Sequence, residues 1–349
     1  MQVSIDGHQL GHGYPVFIVA EVSASHGGKL ETALELVRAA KRAGANAIKL
    51  QTYTADTITL KSLKSDFSIP ASSPWAEYKT MWDLYDAAKT PWEWHSEIFA
   101  EAKKNDLVAF SSPFDCTAVD FLESLHVPAY KIASPEITDI PLLERVARTG
   151  KPVIISSGLA SLGDLELAIS TLKINGAQKI IILKCNSSYP SPPSDSNLRT
   201  ISDMSERFAV LAGLSDHTLG IADAVASIAL GACIIEKHIK LDGDESSVDA
   251  FFSASESTFS EMVMSIRRVE LSLGKVSYEI SGSAQKNLMG RKSLYAVKDI
   301  ANGEIISLDN VKSIRPGHGL HPKHFTELVG RRVIRDIEAG ERLSWEMFE

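Results

Sequence analysis

Eight short apolar runs fall before residue 240, at 16–22, 47–51, 107–111, 129–133, 152–156, 179–184, 209–214 and 232–237, and this recurrence constrains the fold more than any other feature. Each run reads as a parallel strand buried on both faces, because such strands are apolar almost throughout. Helical patterns follow most of them, at 30–43, 117–125, 141–148, 165–174, 221–230 and 259–273. Strand and helix alternating eight times over roughly 250 residues predicts a (β/α)8 TIM barrel, since right-handed crossovers close such a sheet on itself. An open doubly wound sheet is the rival fold. It lacks its glycine-rich turn here, because the first strand continues as EVSASHGG.

A chain of 349 residues that is 44% hydrophobic has material for one large core and a smaller second one. After residue 273 the segment GKVSYEISGSAQKNLMG is poor in apolar residues, which predicts a barrel domain over 1–273, a linker over 274–290 and a small β-rich domain over 291–349. Within the small domain, VKDIANGEIIS (297–307) and IRDIEAGERLS (334–344) share a pattern that predicts an internal pseudo-repeat. So short a module has a marginal core, so it is expected to pack against a barrel, its own or a neighbour's. The N-terminus shows no basic stretch followed by an apolar run, and no segment approaches the ~18 apolar residues of a membrane helix. Cys116, Cys185 and Cys233 are too few and too unevenly spaced for a disulfide framework. A soluble, cytoplasmic protein is expected. The net charge of −8, with no long basic run, argues against nucleic acid and anionic membranes as partners.

Barrel active sites lie at the C-terminal ends of the strands, so the residues there decide the chemistry. In order they are Glu21; Lys49 and Gln51; Ser111 and Ser112; Lys131 and Ser134; Ser156 and Ser157; Lys184 and Cys185; Ser215, Asp216 and His217; Glu236, Lys237 and His238. One polar strand end is ordinarily just wetted by solvent, but eight of eight is not. Lysines give point charge and serines give short donors, a set suited to a small molecule carrying phosphate and carboxylate. His217 and His238 end consecutive strands, and neutral imidazoles there suit Mn2+, Co2+ or Zn2+. The other reading is that each histidine only hydrogen-bonds a loop carbonyl. Asp216, Glu236 and Asp249 are candidates for holding the histidines or sugar hydroxyls. Trp75, Trp82, Trp92 and Trp94 are read as packing residues of a long insertion after the second strand, and His26 as the one other histidine near the site.

These residues lie in the motifs AEVSASHGG, AIKLQTY, SSPFD, PAYKIASPEI, KPVIISSG, GLSDHT and GACIIEKH, with RKSLYAV and SIRPGHGL in the small domain. Taken together, the sequence resembles the sialic acid synthase family from end to end, and the small domain looks like the antifreeze-like SAF domain (a β-clip) that follows the barrel in that family. LYDAAKTPWEWH and LKCNSSYPSP look most like the pseudaminic acid synthases within it. The resemblance implies a C–C bond-forming transferase that condenses phosphoenolpyruvate with a six-carbon N-acetylated amino-sugar aldehyde, giving a nine-carbon nonulosonic acid and phosphate. N-acetylneuraminate or legionaminate synthesis is the alternative within the family.

The resemblance further implies that His217 and His238 bind a divalent metal, Mn2+ ahead of Mg2+ or Co2+. Lys49, Ser112, Lys131, Ser134, Ser156, Ser187 and Ser215 would hold phosphoenolpyruvate, and Glu21 would lie near the reacting carbons. Gln51, Tyr189, Glu236 and Asp249 would line the sugar pocket. Arg315 would reach the sugar from the SAF domain of a partner subunit, which implies a homodimer. Two positions depart from the family pattern: Ser25-His26 stands for Asn-His, and Ser187 for an asparagine that contacts phosphoenolpyruvate in neuraminate synthases. Outside this reading stand a phosphoenolpyruvate synthase acting on sugar phosphates, a lyase using a Lys131 Schiff base with pyruvate, and a carbohydrate-binding protein without catalysis.

Overall fold

The structure is a computed structural model describing residues 1–349, which separate into two compact units, Met1–Gly274 and Lys275–Glu349. The first unit opens with an antiparallel hairpin, β1 (Gln2–Ile5) and β2 (His8–Gly11). There follow β3 (Phe17–Glu21), α1 (Leu30–Arg42), β4 (Ala47–Thr52), α2 (Ala55–Ile58), α3 (Met81–Ala88), α4 (Trp92–Lys104), β5 (Val108–Pro113), α5 (Cys116–Ser124), β6 (Tyr130–Ile132) and α6 (Ile140–Ala147). The unit finishes with β7 (Val153–Ser156), α7 (Leu162–Ile174), β8 (Ile180–Cys185), α8 (Thr200–Phe208), β9 (Leu211–Asp216), α9 (Ala222–Ala229), β10 (Ile234–Lys240), a two-residue β11 (Ala254–Ser255) and α10 (Glu256–Leu273). Strands β3 to β10 pair in parallel with their neighbours, and β10 returns to β3 with Ile234 opposite Phe17 and His238 opposite Glu21. That last ladder closes the barrel, as the alternation predicts.

Side chains on a strand alternate between faces, and this period divides the apolar residues into two cores. Ile18, Ala20, Ile48, Leu50, Ile132, Ile155, Ile182 and Ile235 point outward and pack beneath the helices. Phe17, Val19, Ala47, Phe110, Ala129, Ile154, Ile181 and Ile234 point into the lumen. Gly213 belongs to the lumen set, where a Cβ would come within 2.3 Å of the Ile234 carbonyl oxygen. The hairpin contributes Val3, Ile5 and Leu10 to the same cluster and seals the base of the barrel.

The sequence reading omitted this hairpin, because its polar residues hide three buried positions in a short alternating pattern. It also omitted α4 and α8 among the helices. Trp92 and Trp94, assigned to a long insertion, in fact open α4.

In the second unit β12 (Ser293–Ala296) pairs antiparallel with β13 (Val311–Ile314), over a core that includes Leu294, Ile300, Ile306, Val311, Leu328, Val333, Ile337 and Leu343. The pseudo-repeat is structural. Ile300 and Ile337, equivalent in the two copies, exchange both backbone hydrogen bonds at 2.8 and 2.9 Å. Gly303 N donates to Val333 O just as its counterpart Gly340 N donates to Ala296 O, each at 2.8 Å. Both glycines have φ near 90°, the left-handed region their turns require.

If the hairpin is part of the barrel core, Ile5→Ala should lower unfolding free energy by about 2 to 4 kcal/mol in a urea titration. An unchanged midpoint would mean that the lumen cluster holds without it.

Candidate active site

Strand alternation alone aims the charged residues. Glu21 continues the parity of Phe17 and Val19, Lys49 that of Ala47, Lys131 that of Ala129, and Glu236 that of Ile234, so all four stand in the lumen above its apolar layers. They are 1 to 4% exposed. Lys49 Nζ lies 2.5 Å from Glu21 and 3.4 Å from Glu236, and donates to Ser112 Oγ at 3.1 Å. Glu236 Oε1 accepts from Lys131 Nζ at 2.9 Å and from Ser215 Oγ at 3.2 Å. Two carboxylates and two ammoniums therefore make one neutral, water-poor cluster.

Burial works against every charge in this cluster, and the neighbours decide the outcome. For Glu236, burial is outweighed by Lys131 and Lys49, which hold the carboxyl well below its usual range. Glu21 goes the other way: burial raises it, and Lys49 only partly compensates. Burial likewise lowers Lys131 in spite of Glu236. Several polar atoms here have no hydrogen-bond partner, among them Ser156 Oγ, Glu236 Oε2 and the buried Ser25 Oγ. Buried polar atoms are ordinarily paired, so unpaired ones clustered in a barrel mouth point to a ligand.

His217 and His238 follow on β9 and β10 with ring centroids 5.4 Å apart. His217 Nδ1 lies 2.9 Å from Asn186 O, so the ring donates through Nδ1 and Nε2 is left to face elsewhere; burial lowers its pKa, but Cys185 and the Asn186 carbonyl raise it above the ordinary value. Burial holds His238 neutral; its Nδ1 has no hydrogen-bond partner and stands 3.7 Å from Asp249 Oδ2. Tyr189 lies 4.6 Å from the His217 ring and Phe252 4.7 Å from that of His238, centroid to centroid. No group of three or more His, Cys, Asp or Glu side chains is gathered for a metal ion.

The sequence profile of the NeuB family matches residues 36–278, and that of the SAF domain matches residues 291–349. The chain belongs to the NeuB family. It is 45% identical to the pseudaminic acid synthase of Campylobacter jejuni over 94% of this chain and 95% of that protein. With the pseudaminic acid synthase of Helicobacter pylori it shares 41% identity over 96% and 98% of the two chains. The solved structure of an N-acetylneuraminic acid synthetase from Leptospira borgpetersenii, in complex with citrate, matches with a TM-score of 0.72 at 31% identity, covering 82% of this chain and 95% of that one. The resemblance read from the motifs is thereby borne out.

Other residues singled out in this NeuB-family sequence fall in three places. Ser134 and Ser187 meet at Gly158, whose missing Cβ would lie 2.8 and 2.3 Å from their hydroxyls, and Gly158 N donates to Ser134 Oγ at 2.9 Å. Gln51 ends β4, half-buried in the lumen parity. Asp249, on the loop after β10, accepts from Ala24 N at 3.3 Å. Glu236, assigned to the sugar pocket by resemblance, stands in the lysine cluster. Arg315 belongs to the second unit, exposed just after β13, in a turn that Ser293 fixes by donating to Pro316 O and accepting from Gly319 N.

Two strand-end lysines do not converge on the site. Lys184 and Lys237 have the outward parity; Lys184 donates to Cys185 O and Lys237 to Asp216 Oδ2. Asp216 is thereby removed from the mouth as well. His26 is a prop for its loop: Nδ1 accepts from Gly28 N, Nε2 meets Thr90 Oγ1, and burial pushes its pKa down to about 4. Trp75 packs, its indole donating to Val248 O at 3.1 Å and its ring 5.7 Å from Tyr189.

Glu136 was missed. It follows Ser134 in a short 3-10 turn, its Oε2 has no hydrogen-bond partner, and burial pushes its pKa up to about 7 against Lys131 and Lys49. The sequence cue was a carboxylate directly after a strand-end lysine and serine. Because the folded state binds this proton more tightly than the unfolded chain, the stability it contributes is complete below pH 4.5 and lost as pH rises through about 7. Glu136→Gln should remove that slope, so urea unfolding from about pH 5 to 7 should show the variant gaining on the parent. Parallel curves would place Glu136 in water.

Proposed function

We propose that the chain is a pseudaminic acid synthase, joining phosphoenolpyruvate to 2,4-diacetamido-2,4,6-trideoxy-L-altrose with release of phosphate. The observation that carries this reading is the buried cluster of Lys49, Lys131, Ser112 and Ser215 facing two adjacent imidazoles. It is supported by identity above 40% to two pseudaminic acid synthases over nearly the whole chain.

The donor's phosphate and carboxylate are held by Lys49, Lys131 and the hydroxyls of Ser112, Ser134, Ser156, Ser187 and Ser215. Burial strengthens each contact. Before the donor arrives, burial favours the neutral form of both lysines; Glu21 and then Glu236 oppose it at Lys49, and Glu236 opposes it in part at Lys131. His217 and His238 fit a divalent ion, Mn2+ first: both can present neutral nitrogens, and His238 Nδ1 has no hydrogen-bond partner. The chemistry such an ion supplies is Lewis-acid polarisation of the aldehyde oxygen.

Gln51, Tyr189 and Asp249 orient the sugar so that its aldehyde carbon meets the donor's methylene carbon. As the new C–C bond forms, positive charge develops at the adjacent donor carbon, and water adds there. Glu21, made more basic than an exposed carboxylate by its burial, takes the proton from that water. The tetrahedral hydroxyl then gives up its proton as the C–O bond to phosphate breaks, leaving a ketone; one water proton ends on the former aldehyde oxygen and the other leaves with the phosphate, whose charge Lys49 and Lys131 stabilise. We also read the active enzyme as a homodimer in which Arg315 of each chain serves the neighbour's barrel.

Lys131→Ala should release phosphate ~10²-fold or more slowly than the parent, because one preorganised electrostatic contact is worth that much, while its circular dichroism stays native. Normal turnover removes Lys131 from the reaction. Assaying the parent against a panel of amino sugars, with Mn2+ and with chelator, tests substrate and metal together; turnover of N-acetylmannosamine alone would reassign the chain to neuraminate synthesis. For the dimer, Arg315→Ala mixed with His238→Ala should regain activity that neither has alone. No recovery means that Arg315 acts within its own chain.

A further inference from the structure

Each of the two histidines is preceded in sequence by a charged residue that stands outside the lumen. Asp216 precedes His217, Lys237 precedes His238, and the two are register partners across the β9–β10 ladder. Alternation turns both into the layer beneath the helices, where they are 3% and 2% exposed. There Lys237 Nζ donates to Asp216 Oδ2 at 2.7 Å and to Thr218 O at 2.7 Å. Asp216 Oδ1 in turn accepts from Thr218 N at 2.9 Å and from the Thr218 hydroxyl at 2.7 Å. The residue before His238 is thus tied to the residues on both sides of His217.

A buried ion pair contributes little net stability compared with apolar side chains of the same volume, so its presence here calls for a geometric reason. Parallel ladders have one: a slip of a single residue between β9 and β10 would turn one histidine out of the lumen. The β8 loop adds a further tether, since Ser191 N donates to His217 O at 2.9 Å and Asn186 O holds the ring. His238 has no comparable tether on its ring, so its place depends on its strand.

We infer that Asp216 and Lys237 form a positioning clamp that fixes the spacing and mutual orientation of His217 and His238 for the divalent ion, an inference that rests on the metal reading above. The pair touches neither substrate nor ion. It acts through the backbone, from the outer face of the barrel, and converts the register of two strands into the geometry of a metal site.

The test uses Co2+, followed by calorimetry and by its visible ligand-field spectrum, on the full-length parent, Lys237→Met and the double variant Lys237→Met/Asp216→Leu. Arg145→Met, which breaks the surface pair with Asp120, is the control. Thermal melts report folding, and hydrogen exchange of the metal-free proteins reports residues 211–218 and 234–240. Lys237→Met should bind Co2+ on the order of 10- to 100-fold more weakly, as loss of a residue supporting metal ligands does, with an altered spectrum and faster exchange in those two segments alone. The double variant leaves no unpaired buried charge, so it should stay folded and still bind weakly.

Co2+ affinity in the double variant within twofold of the parent overturns the clamp, as does equal weakening in Arg145→Met. If Lys237→Met fails to fold, the double variant decides. If the parent itself binds no Co2+, the metal reading falls. The clamp is then judged by exchange: protection unchanged in 211–218 and 234–240 sinks it, and selective loss there keeps it.

Discussion

Two glutamates and two lysines can occupy the dry mouth of this barrel only because they neutralise one another. A single ammonium there would lose its proton and a single carboxylate would gain one. Together they offset much of that cost, with Glu236 Oε1 as the hub for Lys131, Lys49 and Ser215. The rest of the site follows from that balance. The unpaired Ser156 hydroxyl, on the lumen side of β7, is a donor left over beside this cluster, the kind of group an anion's oxygen can use. The site is poised, since it holds its charges ready without hydrating them.

The period of the strand organises this chemistry as firmly as it organises the core. The same alternation that sends Ile235 outward and Ile234 inward sends Lys237 outward and Glu236 inward. Charge therefore enters both layers of the barrel, with different consequences. Inside, it faces a lumen with unsatisfied polar atoms. Outside, Lys237 and Asp216 satisfy each other and the Thr218 backbone, and nothing remains for a ligand.

The barrel was legible because parallel strands buried on both faces are almost wholly apolar, and the SAF module because its repeat is written twice in the sequence. The lumen lysines were legible as strand ends. Which strand-end lysines face the lumen was also in the sequence, but only to a reader who counts parity from the apolar anchors: 47 to 49 and 129 to 131 keep step, while 183 to 184 and 236 to 237 do not. What the sequence withheld is what depends on contact between distant segments. The convergence of Ser134 and Ser187 on Gly158 joins loops from β6, β7 and β8. The elevated Glu136 owes its state to burial that no local pattern announces. The hairpin was hidden for a simpler reason: four-residue strands carry too few periods to be read.

That hairpin has a kinetic consequence. With Val3, Ile5 and Leu10 packed into the lumen from below, the barrel is a chamber with one door. On β9 and β10, Ser215 and Glu236 precede His217 and His238 by two residues, so whatever reaches them enters and leaves on the imidazole side. Traffic through this mouth is made one-sided by a plug at the opposite end of the barrel.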